Sequence, residues 1–164
     1  MKISGRAWVF GDDIDTDQIF PGAYLTLTDV EEMGKHAMEG VPGREDFAKK
    51  VAKGDIIVAG KNFGCGSSRE QAPLALKAKG IQAVIAKSFA RIFYRNAINL
   101  GLLVLEADTD EIEDGDELEL DMENSEIIIL NREKSIKFKP LPEFMQKIIQ
   151  EGGVIEYIKK RGDI

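Results

Sequence analysis

Four stretches of this chain carry the apolar periodicity of strands, and they are separated by stretches with the spacing of helices. Residues 2–10 (KISGRAWVF) alternate loosely and read as a strand ending near Phe10. Ile56-Ile57-Val58-Ala59 is a short β-branched run, as expected of a buried strand, and Ile81–Ala86 and Leu102–Leu105 are two more. Between them, Ala72, Leu74, Ala75, Leu76 and Ala78 favour a helix that stops at Gly80. Ser88 is placed to cap a second helix with Phe89, Ile92, Phe93, Ala97 and Ile98 on one side and Gly101 at its end. The order β-α-β-α-β over residues 55–105 predicts a parallel sheet with right-handed crossovers.

The flanks differ. Upstream, Thr28 or Asp29 can cap a short helix carrying Val30, Met33, Ala37 and Met38 and closed by Gly40. Residues 40–44 hold two glycines and a proline and are expected to be the most flexible segment, before a short helix over 45–51. Downstream, Glu117–Met122 and Ile127–Leu130 flank Glu123-Asn124-Ser125 as a hairpin would, and Ser135–Lys139 adds a short strand. Leu141-Pro142-Glu143 opens a helix through Gln150, Gly152-Gly153 stops it, and Val154–Lys160 forms another. The expected fold class is α/β, one domain over residues 1–164, with antiparallel strands added to the parallel unit.

Composition narrows the function. The 164 residues carry a net charge of −7 and 31% charged side chains, with a pI near 4.9, so neither a nucleic-acid nor an anionic-membrane partner is expected. No apolar run approaches the ~20 residues of a membrane span, and MKISGRAWVFGDD lacks the features of a signal peptide, so a cytoplasmic location is expected. One cysteine and one histidine exclude an internal disulfide, and this chain alone cannot ligate zinc or an iron–sulfur cluster. Cys65 reads as a small buried filler, since no histidine lies near it in sequence to activate it.

Two polar stretches concentrate reactive side chains. Gly64-Cys65-Gly66-Ser67-Ser68-Arg69-Glu70 lies between the Ile56 strand and its helix, where backbone N–H groups and the positive helix end point at whatever faces them. Ser67 and Glu70 have the spacing of a capping box, and Pro73 suits the first turn. Arg69 is out of place there, because a cation opposes the dipole. The loop therefore has two readings: a carboxylate or phosphate site, or a capped helix with Arg69 paired to a nearby acid. It fits neither the P-loop, which needs Lys-Ser or Lys-Thr after its last glycine, nor the dinucleotide fingerprint. The second stretch, Gly11 to Ile19, has aspartates at 12, 13, 15 and 17 but departs from the EF-hand pattern, and is expected to form a turn with one aspartate kept for site work.

Taken together, the motifs Asp15-Thr16-Asp17-Gln18-Ile19 with Pro21 and Tyr24-Leu25, Gly60-Lys61-Asn62-Phe63-Gly64-Cys65-Gly66-Ser67-Ser68-Arg69-Glu70, and Ala86-Lys87-Ser88-Phe89-Ala90-Arg91-Ile92 resemble the small subunits of 3-isopropylmalate dehydratases. That family lies in the aconitase superfamily, whose swivelling domain it matches. The resemblance covers essentially the whole chain, down to Leu141-Pro142-Glu143-Phe144 and Gly152-Gly153.

The resemblance implies a swivelling-domain β/β/α architecture and a large subunit that carries a 4Fe–4S cluster acting on the hydroxyl of a small dicarboxylate. It further implies Ser67 as general base, Arg69 as the grip on a substrate carboxylate, Ser68 and Gly66 beside it, and Asp17 as an acidic residue near the site. Tyr24, Leu25, Thr26 and Leu27 correspond to the segment that reads the group distinguishing substrates. Homoaconitase-type relatives tend to place an arginine there, whereas Thr26 stands here, often a valine in isopropylmalate enzymes. An apolar isopropyl group is favoured. A homoaconitase or broad malate-type hydro-lyase subunit is the alternative, and a stand-alone anion-binding domain is the reading without catalysis. Arg91 and Arg95 share a helix face and are expected to pair with local acids or the partner.

Overall fold

A computed structural model describes residues 2–161. Seven strands, β1 (Lys2–Val9), β2 (Ile56–Val58), β3 (Ala83–Ala86), β4 (Leu103–Glu106), β5 (Glu117–Asp121), β6 (Glu126–Ile129) and β7 (Lys134–Lys137), form one sheet in the order β4-β3-β2-β1-β5-β6-β7. β1 belongs to both halves of it. Its residues 7–9 run parallel to β2, while residues 2–6 pair antiparallel with β5. The parallel part thus has four strands, one more than the βαβαβ unit expected, because β1 adds to its edge.

The sheet folds over on itself. Ile57, Val84 and Val104 point toward the helices, together with Trp8. Their neighbours Ile56, Ile85 and Leu105 point the other way, onto Leu118, Leu120, Ile127 and Ile129 of the antiparallel half. The fold closes further where Ala107 bridges Phe138 and Lys139 N–H donates to Glu106 O at 2.8 Å. A layer of antiparallel strands, a parallel sheet and a layer of helices result. Burying each Leu or Ile is worth about 1.5–3 kcal/mol, against a strand-propensity range of ~1 kcal/mol. Packing therefore fixes the register of β5 and β6, although Glu117, Glu119 and Glu126 are poor strand formers.

The helices are α1 (Thr16–Ile19), α2 (Val30–Gly34), α3 (Phe47–Lys50), α4 (Gln71–Ala78), α5 (Arg91–Leu100), α6 (Glu143–Gln150) and α7 (Val154–Arg161). Asp29 caps α2, as expected, by accepting from Glu31 N–H at 2.9 Å. Two other expected caps do not form. Glu70, itself helical, is the residue before α4 and makes no side-chain cap, so Ser67 and Glu70 make no capping box. The Ser67 carbonyl instead accepts from Thr16 Oγ1 at 2.8 Å, which holds this segment out of the helix. Ser88 does not cap α5, which starts after Ala90; its Oγ accepts from Asn62 N–H at 2.8 Å. The capping box occurs at α1, where Asp15 accepts from Gln18 N–H and the Gln18 side chain accepts from Asp15 N–H. Among the described residues, no helix is long and apolar enough to cross a membrane.

Candidate active site

Beyond the carboxyl ends of β1, β2 and β3 the chain keeps pairing in parallel, one residue at a time. Asp15 bridges Cys65, and Phe63 bridges Phe89. Thr16 N–H donates to Cys65 O at 2.9 Å, Gly64 N–H to Ile14 O at 2.7 Å, and Ala90 N–H to Phe63 O at 2.9 Å. Gly64 makes this close approach possible: a Cβ there would lie 2.3 Å from the Phe93 ring. At Gly66 the backbone enters the left-handed region (φ +92°) and the chain turns outward.

The turn leaves an unspent set of donors. Among the described residues, the N–H groups of Gly66, Ser67, Ser68, Arg69 and Glu70 donate to no backbone carbonyl. Ser67 and Ser68 are exposed, and neither hydroxyl makes a hydrogen bond among those residues. Gly66, Ser67, Ser68 and Arg69 line a cavity of about 200 Å³ that α5 closes with Arg91 and Asn96 and that Thr16 borders. Uncommitted N–H groups beside a left-handed turn are the kind of donors from which anion-binding concavities are built.

Arg69 joins this cavity to the aspartate stretch. Its Nη1 donates to Asp17 Oδ1 at 2.9 Å and to Phe20 O at 3.0 Å. Asp17 Oδ1 also accepts from Gly22 N–H at 2.9 Å. The Arg69 hydrogen bond, helped by that of Gly22, holds the Asp17 carboxyl below its ordinary 3.8. Nε and Nη2 of Arg69 donate to nothing among the described residues, so part of the guanidinium fork remains for a carboxylate. The two readings of Arg69 combine here: it pairs with a local acid and still faces a cavity.

The remaining site residues lie apart. Tyr24, Leu25, Thr26 and Leu27 do not line the cavity; they follow Gly22 beyond the Asp17–Arg69 pair. Leu25 and Thr26 are exposed, and Tyr24 turns inward to stack on His36 with centroids 3.6 Å apart. Tyr24 OH donates to Glu39 Oε1 at 2.6 Å, and His36 Nδ1 lies 2.6 Å from Glu39 Oε2. Burial of Glu39 raises its pKa, but the Tyr24 and His36 bonds outweigh that and leave it lowered, while the Glu39 bond raises the Tyr24 phenol. Burial, with Asp15 and Asp13 nearby, pushes the Cys65 thiol up, so the nucleophilic thiolate is disfavoured. Sequence reasoning missed Thr16, Arg91 and Asn96 as lining residues, although Thr16 and Arg91 belong to the quoted motifs.

No group of three or more His, Cys, Asp or Glu side chains among the described residues could hold a metal ion. With one cysteine in the chain, the donor set does not fit an iron–sulfur cluster, and any such cluster needs ligands from elsewhere.

A strand-ended cavity of serines, free amides and arginine, on a β/β/α fold, is that of an aconitase-type domain, and the model of the aconitase C-terminal domain matches residues 24–110. A small subunit of 3-isopropylmalate dehydratase from Archaeoglobus fulgidus is 60% identical, covering 100% of this chain and 99% of that one. A methanogen homoaconitase small subunit from Methanocaldococcus jannaschii is 57% identical, over 98% of this chain and 94% of that one. The crystal structure of a 3-isopropylmalate dehydratase from Methanocaldococcus jannaschii superimposes with a TM-score of 0.95 at 57% identity, covering 99% of this chain and 96% of that one. The chain belongs to the 3-isopropylmalate dehydratase small-subunit family, within the aconitase C-terminal domain family.

Proposed function

We propose that this chain is the small subunit of a hydro-lyase that interconverts 2-isopropylmalate and 3-isopropylmalate by loss and return of water, a step of leucine biosynthesis carried out in the cytoplasm. The large subunit completes the site. A 4Fe–4S cluster held there would act as Lewis acid on the substrate hydroxyl. The observation that carries the reading is the exposed Ser67 hydroxyl on a cavity it shares with Gly66, Ser68 and Arg69, whose backbone N–H groups are uncommitted among the described residues, beside a guanidinium with free donors.

Each residue then has a task. Ser67 Oγ takes the proton from the carbon next to a carboxylate. An unassisted alkoxide is too costly at neutral pH, but the uncommitted N–H groups of its loop and Arg69 favour its negative charge before substrate arrives. Arg69, with Nη1 fixed by Asp17 and Phe20 O, offers Nε and Nη2 to a substrate carboxylate. Ser68 and the Gly66 N–H add donors beside it. Asp17 orients Arg69 rather than moving a proton, because its carboxyl is held ionised by its partner. Tyr24 to Leu27 carry no cation, which suits an isopropyl group. The homoaconitase relative supports a second reading in which a longer acidic substrate is accepted.

The test is reconstitution with a large subunit. Ser67→Ala should lower kcat by about 10²–10⁴-fold without weakening assembly; a near-normal kcat would overturn the base assignment. Parallel assays on isopropylmalate and homoaconitate separate the two substrates.

A further inference from the structure

A second concavity adjoins the cavity of Ser67. It lies between α5 and α6, has a volume of about 420 Å³, and is floored by Tyr94, Met145 and Ile148. Phe144 rises from its edge with 57% of its surface exposed, and Ile92 on α5 is 52% exposed. Arg91 and Arg95, four residues apart, border it, and neither forms an ion pair among the described residues. In a chain of net charge −7, this puts two guanidinium groups that have no carboxylate partner among the described residues at the rim of one apolar concavity. Aromatic residues, Met and Arg are also the side chains enriched where proteins bind one another.

We infer that this α5–α6 groove is the seat of the large subunit, which places there an apolar side chain flanked by carboxylates. The inference rests on the proposed function. Arg91 lines both the groove and the cavity of Ser67, so the two surfaces are continuous. A large subunit that brings its cluster to a substrate held at Ser67 and Arg69 must cover that cavity, and its contact then runs on over Arg91 into the groove. The groove supplies what such a contact needs: an apolar pocket to anchor one side chain and two guanidinium groups that pair with acids. The occupant's charge follows from complementarity, since a basic edge repels a basic partner.

The experiment titrates this chain into the large subunit and reads activity, giving a Kd for assembly and a kcat at saturation. Phe144→Asp and Arg95→Glu are both exposed changes and should leave the melting temperature near that of the unmodified chain. Each should raise Kd tenfold or more with kcat at saturation unchanged, and Arg95→Glu should flatten its salt dependence. Leu130→Asp, an equally exposed apolar position on the turn after β6, should leave Kd unaltered. Wild-type Kd in both groove variants would overturn the inference. So would self-association of this chain that Phe144→Asp abolishes while binding to the large subunit persists, since the groove would then belong to a second copy. If the unmodified chain itself fails to activate the large subunit, it is the proposed function that fails.

Discussion

Arg69 owes its orientation to one oxygen of Asp17. Among the described residues, both hydrogen bonds of the guanidinium run through Nη1, so the rest of the fork is held in place without being used up. Asp17 is 65% exposed, and screening by water keeps such a pair to about 0.2–1 kcal/mol of stability. Its worth is positional. Asp17→Ala should therefore raise KM of the reconstituted enzyme severalfold while shifting the thermal midpoint little, as steady-state kinetics and a melting curve would show. Arg69→Lys should be worse for KM, because an ammonium cannot meet Asp17, Phe20 O and a carboxylate with one planar fork. Since the Asp17 pKa is depressed below 3.8, the pair is intact above that value and is lost only as pH falls further.

The loops that carry these residues are ordered by one another, which decides what could be read in the sequence. Strands and helices announced themselves through apolar periodicity, and β2, β3, β4, α4 and α5 all lie where that periodicity put them. The caps were misread for a physical reason. Thr16 Oγ1 reaches the Ser67 carbonyl across 51 positions, and the Asn62 N–H reaches Ser88 Oγ across 26. No local pattern reveals such partners, so serines that look like caps serve as ties between loops. The dual pairing of β1 was hidden likewise, because alternation gives a strand's faces but not its neighbours. The glycine loop, Arg69 and the aspartate motif were legible as chemistry, whereas Arg91 was not, because its place on the cavity depends on how α5 docks. Two substitutions test the ties. Asp15→Ala removes the real capping box of α1 and should cost about 1 kcal/mol. Gly64→Ala forces a Cβ onto the Phe93 ring in a left-handed backbone, and should cost about 1–3 kcal/mol and displace the serine loop. Denaturant titration measures both.

The curled sheet needs its acidic anchors ionised, and this sets how the folded chain answers to pH. Asp116, only 4% exposed, sits where the chain enters β5 and accepts from Arg132 at 2.7 Å, Asn131 at 3.0 Å and Glu113 N–H at 2.8 Å. Burial alone would raise its pKa, yet these donors prevail and hold it below 3.8. Glu39, under the Tyr24 segment, is likewise held below 4.5. A carboxyl whose folded pKa is depressed binds fewer protons in the native state than in the unfolded one, so its contribution is complete above the unfolded value and drains away below it. Thermal stability should therefore be flat from neutrality down to about pH 5, then fall as protons compete for Asp116 and Glu39. Asp116→Ala removes the acceptor shared by Arg132, Asn131 and the Glu113 N–H, while Arg132 keeps the Glu111 carbonyl and Glu113, and should cost about 1–3 kcal/mol at neutral pH. In that variant the acid decline should also be shallower, because one of the groups that drives it is gone. A melting profile as steep as that of the unmodified chain would mean that the acid response comes from carboxylates other than the one that ties Arg132 to the start of β5.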